Sequence, residues 1–102
     1  MNNDPINRKS LAAALKFLGE LPIELVSIDF NVIENGIIEV DWFGDPHSVF
    51  TVEFKDDGTC MYSGFDVDNG YGIADLSDGI PKIILDHILA IAGKIARYKW
   101  LD

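Results

Sequence analysis

The chain has 102 residues, of which 48% are apolar and 25% are charged, and its net charge is −9. These proportions are ordinary for one globular domain and exclude a disordered or low-complexity chain. No apolar run approaches the roughly 20 residues that a membrane span requires, and the N-terminal residues lack the basic and apolar regions of a signal peptide. We therefore expect a single domain over residues 1–102 that does not enter a membrane.

Two helices are predicted, one at each end of the chain. In the first, Asp4 is a suitable N-cap, Pro5 a suitable first helical residue, and Gly19 a typical C-cap. The second helix is expected from about Pro81 to Lys99. Its apolar residues form one broad stripe, which favours a helix lying across a sheet. The members of this stripe are Ile84, Ile88, Ile91 and Ile95, with Leu85, Leu89, Ala92 and Ala96 beside them.

The middle of the chain alternates apolar and polar residues, which is the pattern of half-buried strands. Turn-forming residues separate the alternating runs, and a Gly-rich loop is expected over residues 66–72. The predicted turns lie at 34–36, 44–46 and 56–58. The predicted strands are residues 26–32, 38–42, 50–54 and 59–65, with a short fifth strand at 73–76.

The alternation also fixes how the strands pair, because directly opposed residues must lie on the same face. A two-residue turn at Asn35-Gly36 would place apolar residues opposite acidic ones. A three-residue loop with Gly36 in the left-handed conformation pairs Ile33 with Ile37 and removes the conflict. The same argument predicts a three-residue loop at 56–58.

Placing Trp42 opposite Phe50 completes the register and divides the sheet into two faces. The sequence thus predicts an α+β fold with an N-terminal helix, an antiparallel meander of four or five strands, and a C-terminal helix. Both helices are expected on one face of the sheet. The strand residues expected beneath them are Ile28, Phe30, Val32, Ile38, Val40, Trp42, Phe50, Val52, Phe54, Cys60, Tyr62 and Gly64.

The other face is expected to be open to solvent, with acidic residues opposite one another. Asp29 is placed opposite Asp41, and Glu39 opposite Glu53, although such like-charge pairs are unfavourable by about 0.2–1 kcal/mol each. Met61 flanks these acids, and an apolar row borders them. The apolar row consists of Phe43, Val49 and Phe65. Apolar side chains beside fixed charges are typical of a protein-binding patch. The alternative is a solvated face whose edge hydrophobic residues are covered by the Gly-rich loop.

The charge is concentrated in the middle of the chain, where residues from Glu20 to Asp78 include 14 acids and a single base, Lys55. Such a region repels phosphates, so we expect no direct binding to nucleic acid. It attracts a basic protein surface instead, such as that of a nucleic-acid-binding protein. The alternative is that the acidity only keeps the chain soluble and monomeric.

No catalytic, metal or cofactor site is predicted. Zinc sites need several Cys or His ligands, and the chain holds only Cys60, His47 and His87. The Gly-rich loop resembles a calcium loop only slightly, because Tyr71 occupies the position of the required glycine and Ser77 that of the required glutamate. A lone cysteine favours a reducing, cytoplasmic compartment. We expect no enzymatic activity.

The favoured interpretation is a small acidic module that masks a basic surface on a partner macromolecule. In size, acidity and mixed helix–sheet make-up the chain resembles bacterial immunity proteins, antitoxins and phage-encoded inhibitors, a resemblance of physical type that transfers no residue roles. A second interpretation is a structural module that forms a homodimer through the apolar outer row. A third is a small-ligand binder that uses the space between helices and sheet around Trp42, Tyr62 and Tyr71.

Overall fold

The protein is a five-stranded antiparallel sheet with two helices packed on one face, as seen in a computed structural model. The structure describes residues 5–21, 28–44, 48–65 and 70–101, and for residues 65 and 92–101 it describes the backbone alone. In chain order the elements are α1 (Arg8–Glu20), β1 (Ile28–Val32), a 3₁₀ turn (Glu34–Gly36), β2 (Ile38–Phe43), β3 (Val49–Phe54), β4 (Thr59–Phe65), β5 (Tyr71–Asp75) and α2 (Lys82–Leu101).

The strands follow one another across the sheet in sequence order, β1-β2-β3-β4-β5, so the predicted meander is confirmed. The predicted register is also confirmed, because Trp42 pairs with Phe50, and Phe54 pairs with Cys60. The predicted residues Val26 and Ser27, the turn at 45–46, and the loop residues 66–69 lie outside the described part of the chain.

The β1–β2 turn takes the predicted three-residue form. Ile33 N donates to Ile37 O at 2.8 Å, and Gly36 has a positive φ of 74°. Asn35 is also left-handed, with φ 63°. A Cβ on Gly36 would stand 2.0 Å from the carbonyl oxygen of Pro5, so glycine is required there by close approach as well as by conformation.

The start and end of α1 differ from the prediction. The N-cap is Asn7, whose side-chain oxygen accepts a hydrogen bond from Ser10 N at 3.0 Å, and Asp4 lies outside the described residues. The backbone N–H of Asn7 donates to Gly36 O at 2.9 Å, which holds the segment from Pro5 to Asn7 extended against the turn. The helix therefore begins at Arg8, three residues later than Pro5 alone indicates. It continues through the predicted C-cap, Gly19, to Glu20.

The core lies between the helices and the two central strands, β2 and β3. Phe17 of α1 packs against the rings of Trp42 and Phe54, with centroids 6.0 and 5.2 Å away. The fully buried strand side chains all belong to the face predicted to be covered. They include Ile38, Val40, Phe50, Val52, Phe54 and Cys60.

Two residues predicted to be buried are exposed. Phe30 is 43% exposed and Val32 is 40% exposed, although both lie on the helix side of the sheet. They belong to β1, an edge strand, while the helices pack against β2 and β3. The alternation along β1 correctly predicts the face on which these side chains lie. Whether they are buried depends on how far the helices extend over the sheet.

Helix α2 presents the predicted apolar stripe to the sheet, since Ile84, Ile88 and Ile91 are all buried. Ile95 belongs to the segment for which side chains are not described. His87, on the same helix, stacks on Phe50 with ring centroids 4.9 Å apart and an interplanar angle of 13°. Within the described chain, no helix combines the length and the apolar character needed to cross a membrane.

The fifth strand begins earlier than predicted, at Tyr71, and ends at Asp75. The hydrogen bond from Gly64 N to Gly70 O, at 2.7 Å, carries the pairing back to the end of the preceding loop. The glycines at 70 and 72 have low strand propensity, which made this segment look like part of a loop.

Candidate functional site

The sheet face opposite the helices, called the open face below, carries the odd-numbered residues of all five strands. All eight residues predicted to bind a partner have odd numbers and are placed on strands of this sheet. Their cross-strand pairing is as predicted, with Asp29 opposite Asp41 and Glu39 opposite Glu53. No described element covers the acidic centre of this face.

Asp41 is held in place by two polar neighbours. Its carboxylate accepts a hydrogen bond from Thr51 Oγ1 at 2.7 Å and another from Asn31 Nδ2 at 3.3 Å. These donors lie on the strands at either side of β2. The two hydrogen bonds offset part of the repulsion between Asp41 and the directly opposed Asp29.

Glu39 lies between two other acids, and its pKa is raised from 4.5 to about 7. The largest cause is partial burial, which disfavours the charged form, followed by a hydrogen bond with Asp41 and the negative charges of Asp41 and Glu53. Glu53 has a cation nearby, since Lys55 Nζ lies 3.6 Å from its Oε1. The centre of the open face therefore holds more negative charge than its own cations neutralise.

The predicted apolar row is present, but it is less accessible than expected. Phe43 and Val49 are half-buried, and Val49 pairs with Phe65, whose side chain is not described. Met61 is 41% exposed and lies directly opposite Glu53. Of the apolar residues predicted for this face and described with their side chains, Met61 offers the most contact area.

The most exposed apolar residues of the open face are on β5 and were not predicted. Tyr71 is 87% exposed and Ile73 is 71% exposed. Tyr71 lies opposite Ser63, and Ile73 lies opposite Met61, so the three apolar side chains form one patch. Alternate residues of a strand lie on one face, and this rule identifies both residues if the register of β4 is continued into the Gly-rich segment.

A groove of about 560 Å³ lies in this part of the open face. Its lining combines the acidic residue Glu53 with a thioether, a phenol and an aliphatic side chain. The residues around it are Thr51, Glu53, Met61, Tyr62, Ser63, Tyr71, Gly72 and Ile73. Such a combination suits a side chain that is apolar along its length and cationic at its end, as lysine and arginine are.

The space proposed for a small ligand, between helices and sheet, is occupied by packed rings. Trp42 and Phe50 have centroids 6.3 Å apart, and Phe50 and Tyr62 have centroids 6.2 Å apart. Tyr71 was expected to line that space, and this was wrong, because its odd position puts it on the opposite face. The structure therefore places the three aromatic residues of that hypothesis on two different sides of the sheet.

Among the described residues, groups suited to metal or nucleophilic chemistry do not lie close together. In the described ranges, no three His, Cys, Asp or Glu side chains are placed to hold a metal ion. Cys60 is fully buried, and burial raises the pKa of its thiol to about 11. Its thiol is therefore protonated at neutral pH and is shielded from substrates.

Comparison of the chain with protein-family models, with curated proteins and with solved structures gave no match.

Proposed function

We propose that the protein is a non-enzymatic binding module whose open face covers a basic surface of a partner protein. The observation that carries the proposal is the juxtaposition of an acidic centre and an exposed apolar patch on a face that no described helix covers. The acidic centre is Asp29, Glu39, Asp41 and Glu53. The apolar patch is Met61, Tyr71 and Ile73.

Charge supports a cationic partner. The whole chain carries −9, and the acids of β1, β2 and β3 stand in opposed pairs. Lys or Arg side chains of a partner would relieve the repulsion between these carboxylates and would be attracted to them. The same charge accelerates the encounter at low ionic strength, and salt screens that acceleration.

The apolar patch supports a protein partner over a small cation. Interfaces combine a few large apolar anchors with a charged surround, and tyrosine is prominent among such anchors. Tyr71 and Ile73 leave most of their surface in water. Covering them adds a hydrophobic contribution of about 25 cal/mol per Å² of apolar surface removed from water.

The proposed partner class is a basic protein, such as a nucleic-acid-binding protein, whose surface is positively charged. Masking the basic surface of such a protein would block its access to nucleic acid, as in inhibitors of the immunity, antitoxin or phage type. The protein itself is proposed to bind no nucleic acid directly, since its open face would repel phosphates.

The test is a charge reversal with a matched control. The protein is used to capture partners from host lysate at low salt, and captured proteins are then purified and their association rates measured. We expect Asp41→Lys/Glu53→Lys to lower the association rate of a basic partner at least about tenfold at low salt. The control, Glu20→Lys/Asp86→Lys, makes the same charge change on the two helices and should alter the rate by less than about threefold. Equal rates for the two double variants would contradict the proposal.

A homo-oligomeric module is the second candidate, favoured by the exposure of Tyr71 and Ile73. Face-to-face pairing of two copies is less favourable, because it brings the acidic centres of both copies together. Light scattering on the purified protein measures this directly. A stable dimer whose mass reverts to that of a monomer in Tyr71→Ser/Ile73→Ser would favour this candidate over the first.

A further inference from the structure

We infer that the partner contributes an extended segment that pairs as a strand with the free edge of β5, with apolar side chains beside Tyr71 and Ile73 and basic residues at its ends. This inference rests on the proposed function and adds the way in which the partner is held. It commits to a partner strand of stated chemistry at one edge of the sheet.

The backbone of β5 is oriented to accept such a strand. Hydrogen bonds join Gly64 N to Gly70 O and Leu76 N to Gly58 O. Because hydrogen-bonded and non-hydrogen-bonded pairs alternate in an antiparallel ladder, Gly72 and Ala74 bond to β4. Tyr71 and Ile73 therefore direct their N–H and C=O groups away from β4. β5 ends the sheet, so no described strand pairs with these groups.

The same two residues also present exposed side chains on the open face. An added strand would place alternate residues directly opposite Tyr71 and Ile73, on the side where these two are 87% and 71% exposed. Main-chain hydrogen bonds and side-chain contacts would thus be made at the same positions, which is the usual mode of peptide addition to a sheet edge.

The opposite edge of the sheet is built differently. Its strand, β1, carries the polar residues Asp29 and Asn31 on the open face, and polar or charged side chains discourage pairing at an edge. The open-face positions of β5 hold apolar Tyr71 and Ile73, and a charge follows only at its last residue, Asp75. Neither β1 nor β5 contains Lys, Arg or Pro, so the two edges differ in the residues of their open face. On the open face, β5 is therefore the more favourable of the two edges for an added strand with apolar side chains.

Charge around β5 selects a basic segment and disfavours a second copy of the chain. Residues 66–78 include four acids and no base. At Asp75, hydrogen bonds from Ser77 lower the pKa of the carboxyl group, which keeps it charged. Pairing of two β5 strands would add the negative charge of one copy to that of the other. A segment flanked by lysines places cations there instead.

The test uses defined peptides and the unmodified, ¹⁵N-labelled protein. The probe is Lys-Lys-Val-Thr-Val-Thr-Val-Lys-Lys. Two further peptides have the same sequence, with N-methyl groups either on the three valines or on the two threonines. When the valines face Tyr71, Ile73 and Asp75, their N–H groups point toward β5 and the threonine N–H groups point away. The two methylated peptides therefore differ in which edge of the added strand is blocked.

We expect the unmethylated peptide to bind, with the largest amide shift changes at Tyr71 and Ile73. Methylation of the valines should weaken binding at least about tenfold, because several backbone hydrogen bonds are lost, and methylation of the threonines should change it by less than about threefold. Equal weakening by both methylations, or shift changes centred on Asp41, would overturn the strand inference. Absence of binding by the unmethylated peptide would also overturn it.

Two protein variants form a matched pair for the same measurement. Ile73→Pro removes an N–H that points to the free edge of β5. Val32→Pro removes an N–H that points to the free edge of β1, because Val32 and Ile38 form a non-hydrogen-bonded pair. Only the first should weaken peptide binding. If the unmodified protein is a dimer and Ile73→Pro makes it a monomer, the free edge of β5 binds a second copy of the chain, and the inference is overturned.

Failure of this inference is distinguishable from failure of the proposed function. A peptide with glutamates in place of the four lysines tests charge alone. If the lysine and glutamate peptides bind equally well, the charge complementarity behind both proposals is wrong. If the methylated peptides show no edge preference while Asp41→Lys/Glu53→Lys still slows partner association, the open face binds the partner without strand addition.

Discussion

Glu39 lies two positions from Asp41 along β2 and directly opposite Glu53 on β3. Its pKa of about 7 is a property of this arrangement, because an isolated glutamate ionises near 4.5. Above pH 7 the ionised carboxylate destabilises the folded chain. As the pH falls from 7 toward 4.5, the folded form takes up a proton that the unfolded form lacks, and the destabilisation disappears.

Replacement of this residue therefore has a pH-dependent effect. Glu39→Gln should raise the free energy of unfolding by about 1–2 kcal/mol at pH 8, and the gain should vanish near pH 4.5. Urea unfolding at several pH values measures it. Glu34→Gln, in the exposed β1–β2 turn, is the control and should change stability by less than about 0.5 kcal/mol. A gain for Glu39→Gln that is the same at both pH values would contradict the argument.

Between elements, Ser10 is a buried polar link from α1 to the sheet. Its hydroxyl is fully buried, donates to the carbonyl oxygen of Phe54, and accepts from Ile38 N at 2.7 Å. Ile38 and Phe54 are the pair at the end of the β2–β3 ladder. The helix is thus joined to both central strands through one oxygen atom.

Ser10→Ala should destabilise the protein by about 2–4 kcal/mol, because it leaves a buried N–H and a buried C=O without this partner. The higher helix propensity of alanine offsets only about 0.5 kcal/mol. Chemical denaturation measures the change, and Ser63→Ala, on the exposed open face, is a control expected within about 0.5 kcal/mol. A loss below about 0.5 kcal/mol for Ser10→Ala would show that the hydroxyl is not an important link.

Across the whole molecule, packing decreases from the centre of the sheet to its edges. Val40 and Val52 are fully buried on adjacent central strands, whereas β1 and β5 expose large apolar side chains. The helices contact β2 and β3, so the most stable part of the chain is the central pair of strands beneath them.

Amide hydrogen exchange should follow this gradient. We expect the amides of Val40 and Val52 to exchange at least about a hundredfold more slowly than those of Tyr71 and Ile73, which point to the free edge of β5. Two-dimensional NMR in deuterated buffer gives the rates residue by residue. Strong protection at Ile73 in the isolated protein would mean that the β5 edge is already covered.

Much of the fold was predictable because local chemistry determines it. The two-residue alternation fixes which side chains share a face, and a one-residue slip would move every apolar side chain to the wrong side. Trp42 therefore pairs with Phe50, and the three-residue loop with a left-handed Gly36 follows from the same rule. The placement of Asp29, Glu39, Asp41 and Glu53 on one open face was obtained in the same way.

What the sequence determined by itself is the order of the elements, the register of the strands, and the face on which each side chain lies, since these depend on neighbours a few positions apart. Only the tertiary structure decided how accessible each residue is. Phe30 is exposed because the helices do not cover β1, and Tyr71 is exposed because β5 ends the sheet. It also decided the pKa of Glu39, which depends on burial and on Glu53 of the neighbouring strand as well as on Asp41. It decided the N-cap at Asn7 too, because the backbone N–H of Asn7 donates to Gly36 O in the β1–β2 turn.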